Sequence, residues 1–76
     1  MDIARLVAMA NDIAAFFDSE PDKVLAADGV RSHLVRFWDP RMRREIIAHL
    51  QGGGAGLAAT AKAAVALLSN SPNQSK

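Results

Sequence analysis

The sequence predicts an all-α fold, a small bundle of three to four helices followed by a disordered C-terminal tail. Three observations carry this expectation. Apolar residues recur at three- and four-residue steps through most of the chain, and no stretch alternates apolar with polar as a strand does. Helix punctuation falls between the periodic stretches: Ser19-Glu20-Pro21-Asp22, Asp39-Pro40 and a glycine run after Gln51. Fifteen of the 76 residues are alanine, the strongest helix former.

The first helix is expected at about residues 2–17. Ile3, Leu6, Val7, Ala10, Ile13, Ala14 and Phe17 form one amphipathic stripe, with Asp2 placed to cap it. Phe16 beside Phe17 widens the apolar face at the end. The second helix is expected at about 20–37. Ser19 with Asp22 reads as a capping box, and Pro21 is tolerated in a first turn. Its stripe reads Val24, Ala27, Val30, Leu34 and Phe37. Gly29 inside it costs about 1 kcal/mol relative to alanine, and it either marks a close helix crossing or splits the helix; the crossing is the preferred reading. Trp38-Asp39-Pro40 is the sharpest punctuation, because the residue before a proline is pushed out of helical geometry. Asp39 then caps a third helix at about 40–51 with Pro40 as its first residue, burying Met42, Ile46, Ile47 and Leu50. Gly52-Gly53-Gly54 end it. A fourth, alanine-rich helix is expected at about 57–68, docked loosely because its large apolar residues are few (Leu57, Val65, Leu67, Leu68). Residues 1–68 thus read as a single helical domain, and 69–76 as a polar, proline-containing disordered tail.

The core has little material. Half the chain is hydrophobic, but without its alanines only 23 large apolar side chains remain. A domain of this length buries about 60% of its unfolded surface, so a partner that covers more would add stability. The absence of cysteine excludes disulfides, thiolate zinc sites, iron–sulfur ligation and a cysteine nucleophile. Met1-Asp2 opens with an acid rather than a basic segment, against a secretory signal. The longest apolar run, broken by Thr60 and Lys62, falls short of the ~20 residues of a membrane span. A cytoplasmic module acting through a partner is the expected class. The formal charge is +1 but segregated: residues 1–29 carry six acids and two bases, whereas 30–51 carry five arginines against Asp39 and Glu45. Such a dipolar chain suits docking to a charged protein surface.

The candidate binding residues lie in that basic segment. Arg41 and Arg44 are three apart and share a helix face; Arg43 lies on another side. Guanidinium forks suit carboxylates or phosphates on a partner, while the bland reading is a solvated face paired locally to Glu45 and Asp39. Trp38 is either an exposed interface anchor or a packed seal for the corner between helices two and three, the latter preferred. His33 and His49 match no metal-binding spacing and read as structural. Gly52 to Gly56 fits neither a dinucleotide fingerprint, since residue 57 is leucine, nor a P-loop, and reads as a helix terminator and flexible hinge. No catalytic constellation is present. An alternative from another class is a small helical nucleic-acid-binding module using the Arg31–Arg44 segment; a net charge near zero and the acidic first helix count against it.

Several words of the sequence add to this reading. Met9-Ala10-Asn11-Asp12-Ile13, Phe16-Phe17, His33-Leu34, Phe37-Trp38-Asp39-Pro40-Arg41-Met42-Arg43, His49-Leu50 and Gly53-Gly54-Ala55-Gly56-Leu57 stand in order. Over about residues 3–57 the chain resembles the delta subunit of soluble, NAD-dependent, molybdenum-containing formate dehydrogenase. The block from His33 to Arg43 is the specific part. The resemblance implies a non-catalytic subunit that binds no cofactor itself. It implies an alpha subunit with molybdenum bis-pyranopterin guanine dinucleotide, and beta and gamma subunits with FMN and iron–sulfur clusters. It associates the delta subunit with assembly or stability of the complex, or with insertion of the molybdenum cofactor. Docking on the alpha subunit through Arg36, Trp38, Arg41, Arg43 and Arg44 is the expectation, with a second role for the arginines at the cofactor's pyrophosphate during insertion. Without that partner, exposed apolar surface would favour self-association.

Overall fold

Three aspartates start three helices. Asp2, Asp22 and Asp39 each hold extended backbone, and each carboxylate accepts an otherwise orphaned N–H of the first turn: Ala4, Val24 with Leu25, and Met42 respectively. The computed structural model describes residues 2–70. It contains α1 (Ile3–Phe17), α2 (Lys23–Phe37), α3 (Pro40–Gln51) and α4 (Ala59–Ser69), with no strand among the described residues.

The element bounds differ from expectation at three places, each for a local reason. α2 begins at Lys23 because Asp22, not Ser19, is its cap: Asp22 Oδ1 lies 3.0 Å from the Val24 nitrogen and 3.4 Å from that of Leu25. Pro21 therefore precedes the cap instead of occupying the first turn. α4 begins at Ala59, and Leu57 is a buried linker residue, 7% exposed. α4 also runs through Ser69, whose hydroxyl donates back to the Ala66 carbonyl at 3.1 Å. The tail expected at 69–76 is thus helix at Ser69 and a cap at Asn70, and residues 71–76 lie outside the described residues.

α1 and α4 pack on each other, and each also packs on both α2 and α3; the largest interface joins α2 to α4. The core runs through Leu6, Ala10 and Ala14 of α1, Val30 and Leu34 of α2, Ile46 of α3, and Ala61, Ala64, Val65 and Leu68 of α4. Met42, Ile47 and Leu50 pack half-buried against it. Far from docking loosely, α4 buries four of its eleven residues completely. Ala26 and Ala27 of α2 and Ala61 and Ala64 of α4 are all buried, on the two helices that share the largest interface, and small side chains permit close helix packing. The α2 stripe shifts accordingly. Ala26, Ala27, Val30 and Leu34 are buried, whereas Val24 and Phe37, expected in the core, are 73% and 68% exposed. They sit near the two ends of α2, where each lines an open surface cavity instead of the closed core.

Gly29 marks a close crossing and does not break α2. A Cβ added there would lie 2.6 Å from two carbons of the Phe17 ring. The ring of α1 therefore rests on the bare backbone of α2. Gly29→Ala should destabilise the chain although alanine is the better helix former. Overpacking costs about 1–3 kcal/mol, against the ~1 kcal/mol gained in propensity. Urea unfolding followed by Trp38 fluorescence measures this, and Phe17→Leu in the same chain should recover the loss. A higher urea midpoint for the single variant would show that the ring moves aside freely.

The loop from Gly52 to Ala58 is held at three points. The Asn11 amide donates to the Gly56 carbonyl (2.9 Å), while its oxygen accepts from the Ala58 nitrogen (2.8 Å). His49 Nε2 lies 2.7 Å from the Ala55 carbonyl oxygen; a carbonyl only accepts, so the proton sits on that nitrogen. Gly54 is buried with φ +67°, and a Cβ there would meet Leu50 at 3.0 Å and Lys62 at 3.3 Å. The expected flexible hinge is instead a fastened connection.

Candidate functional site

The basic segment is divided by the fold. Arg31 is clamped by Asp28, with Nε and Nη2 donating to one carboxylate oxygen at 3.0 and 2.8 Å. Arg43 turns inward. Its Nη1 donates to the carbonyls of Val35, at 3.2 Å, and Trp38, and its Nε is buried with no protein partner among the described residues. It clips the end of α2 to the start of α3. Arg41 points outward and pairs with Glu45 one turn on, at 3.3 Å, an exposed pair of small energetic weight. Arg44 and Arg36 are exposed with no carboxylate partner among the described residues, and the Arg36 guanidinium lies 5.9 Å from the Phe37 ring centre. Three arginines, Arg36, Arg41 and Arg44, therefore face solvent, and Arg43 does not.

Trp38 is 5% exposed and belongs to the core. Its extended backbone caps α2, with its N–H donating to the Leu34 carbonyl at 3.0 Å. The side chain seals the corner, as preferred from the sequence, and offers a partner almost no area. Of the five residues expected at a contact, Trp38 and Arg43 form the support and the other three form the surface.

A second feature was not anticipated. Gly29, Ser32, His33 and Arg36 follow the i, i+3, i+4, i+7 pattern of a helix face, beside the buried stripe of α2. With Phe17 and Phe37 they line an open cavity of about 250 Å³. The His33 ring lies 4.6 Å from that of Phe37, tilted by 40°, and Phe16 meets Phe17 edge-on at 5.2 Å. Phe16 is 77% exposed. Periodicity alone put Phe37 and Phe17 together in the core; the signal that Phe37 is a surface residue is that it is the last residue before the Trp-Asp-Pro break. A further groove of about 430 Å³ between α2 and α4 is lined by Val24, Ala27, Ala63, Ala66 and Leu67, with Lys23 as its polar edge.

Among the described residues no three His, Asp or Glu side chains converge as metal ligands, and no helix is long and apolar enough to cross a membrane. His49 ties the loop and His33 stacks on Phe37, so each histidine has a structural partner.

No curated protein and no solved structure matches the chain significantly. The model of one protein family, NADH-dependent formate dehydrogenase delta subunit FdsD, matches residues 5–65. That span takes in all but the first two residues of α1, then α2, α3, the fastened loop and the first part of α4, including every word on which the resemblance rested from Met9 onward. The chain belongs to the formate dehydrogenase delta subunit family.

Proposed function

We propose that this chain is a non-catalytic, cytoplasmic accessory subunit that docks on the molybdenum-containing alpha subunit of an NAD-dependent formate dehydrogenase. There it supports assembly, stability or insertion of the molybdenum cofactor. The observation that carries the reading is the family match over residues 5–65. Formate oxidation and electron transfer to NAD belong to the other subunits, with their molybdenum cofactor, iron–sulfur clusters and FMN. This chain contributes surface. A subunit with so small a core gains stability from any partner that binds only its folded form, by mass action. The outward guanidinium groups of Arg36, Arg41 and Arg44 supply charge for that docking, and Arg43 and Trp38 hold the α2–α3 corner that presents them.

Charge reversal tests the contact. Arg41→Glu with Arg44→Glu should lower co-purification with the alpha subunit at least tenfold. The helical signal should be unchanged, since both side chains are exposed and only the weak Glu45 pair is lost. Undiminished co-purification would mean that this face is not the contact. The wider reading is tested by affinity capture of the tagged chain from its native cells. A large molybdenum- and iron-containing partner with formate-to-NAD activity is expected; recovery of nucleic acid or of the bare chain overturns it.

A further inference from the structure

Ser32, His33 and Arg36 set three hydrogen-bond donors side by side at the edge of one cavity. Among the described residues none of them has an internal hydrogen bond or ion pair through its side chain, and the cavity lining contains no carboxylate. Asp28, the nearest acid along the helix, is already engaged by Arg31. The floor is apolar: the Phe17 ring lies on Gly29, exposed Phe37 lines the cavity beside it, and exposed Phe16 meets Phe17 edge-on outside the lining. Phe37, 68% exposed, thus stands in water beside those unpaired donors. Aromatic and arginine side chains together are the composition of interface hot spots. At about 250 Å³ the cavity is smaller than the roughly 300–1,000 Å³ typical of small-molecule sites, and it is open on one side. It suits single side chains of a partner protein.

We infer that this cavity is a socket for an acidic–apolar segment of a partner subunit of the formate dehydrogenase. An Asp or Glu carboxylate of that segment sits on Arg36, His33 and Ser32, and an adjacent apolar side chain packs against Phe17 and Phe37. A carboxylate satisfies all three donors at once, and a guanidinium fork meets it with two parallel bonds. The apolar neighbour removes from water the phenylalanine faces that α2 cannot cover itself. The socket rests on the reading of the chain as a subunit of that complex, and it lies on the α1–α2 side of the molecule, on different elements from Arg41 and Arg44.

The test uses purified full-length chain titrated against the enzyme complex prepared without it. The unaltered chain is measured first. Arg36→Glu and Phe37→Ser, both at exposed positions, should then each weaken binding tenfold or more, with the helical signal and Trp38 fluorescence unchanged. With Phe37 replaced by the photo-cross-linker p-benzoylphenylalanine, the cross-linked partner peptide should carry an Asp or Glu beside an apolar residue. Binding of both variants within twofold of the unaltered chain overturns the socket and leaves the subunit reading standing. A cross-link to a peptide without an acid, or to a second copy of this chain, overturns it as well. Failure of the unaltered chain to bind the complex removes the subunit reading, and the socket with it.

Discussion

Trp38→Ala should remove about half the stability of the isolated chain and lower its melting temperature by on the order of 20 °C. Removing a large buried aromatic costs about 3–5 kcal/mol. At 0.05–0.15 kcal/mol per residue a chain of this length has only roughly 4–11 kcal/mol in total. Trp38 is the largest side chain in the core, it is 5% exposed, and it stands where α2 ends and α3 begins. Its loss empties the corner to which Arg43 is tied, so the clip to the Val35 and Trp38 carbonyls loosens with it. Thermal melting followed by circular dichroism reads the effect, since the only tryptophan is gone. The expected result is a melting midpoint lower by on the order of 20 °C, while Trp38→Phe loses less and keeps a cooperative melt. A melting temperature for Trp38→Ala within a few degrees of the unaltered chain would show that the corner is held by other contacts. The same experiment separates two roles for this residue. An interface anchor would lower affinity without touching the free chain; a core seal does the reverse.

Helix number and order were legible because the chain states its helices twice, by periodicity and by caps. Asp2 and Asp39-Pro40 are local signals with local consequences, and both caps stand where the sequence puts them. The errors arise where two local options compete or where a tertiary partner decides. Ser19 and Asp22 are both capable caps, and the one that can reach two N–H groups prevails. Val24 and Phe37 keep helical spacing with the α2 core, yet each faces an open cavity shared with another helix, and periodicity carries no information about how closely a neighbour covers each end. Counting bulky residues understates the docking of the alanine-rich segment. In the structure Ala61 and Ala64 are fully buried members of the core. The site follows the same division. The outward faces of Arg41 and Arg44 follow from helix phase, but the inward turn of Arg43 depends on two carbonyls left free at the end of another helix. The cavity beside Gly29 needs Phe17 and Phe37 brought together from two helices.

Asn11 is the least conspicuous of the stabilising residues, and its removal should have the second largest effect. It lies on α1, 45 and 47 residues from the loop atoms it binds. Its side-chain amide reproduces a backbone pairing, donor to the Gly56 carbonyl and acceptor from the Ala58 nitrogen. Ala58 caps α4 and has no side chain able to do so, so the start of α4 depends on this contact. Each hydrogen bond contributes about 0.5–1.5 kcal/mol, which puts Asn11→Ala at about 1–3 kcal/mol. At roughly 4–8 °C per kcal/mol for a domain of this size, the melting temperature should fall by on the order of 10 °C. Asn11→Asp is the sharper variant. It keeps the acceptor for Ala58 but sets a carboxylate oxygen against the Gly56 carbonyl, so it should be no better than alanine, although it differs from asparagine by one atom type. Amide hydrogen exchange locates the damage. Protection should be lost first at residues 57–62, because the fastened loop opens and the first turn of α4 frays, while the α1–α2 crossing at Gly29 keeps its protection. If Asn11→Ala melts with the unaltered chain and exchanges no faster at Ala58, the loop is held by its glycine geometry and the His49 contact alone. If the expectation holds, the Met9-Ala10-Asn11 portion of the family pattern is accounted for by folding, and the surface left to explain partner binding is that of Arg36, Arg41, Arg44 and the phenylalanine socket.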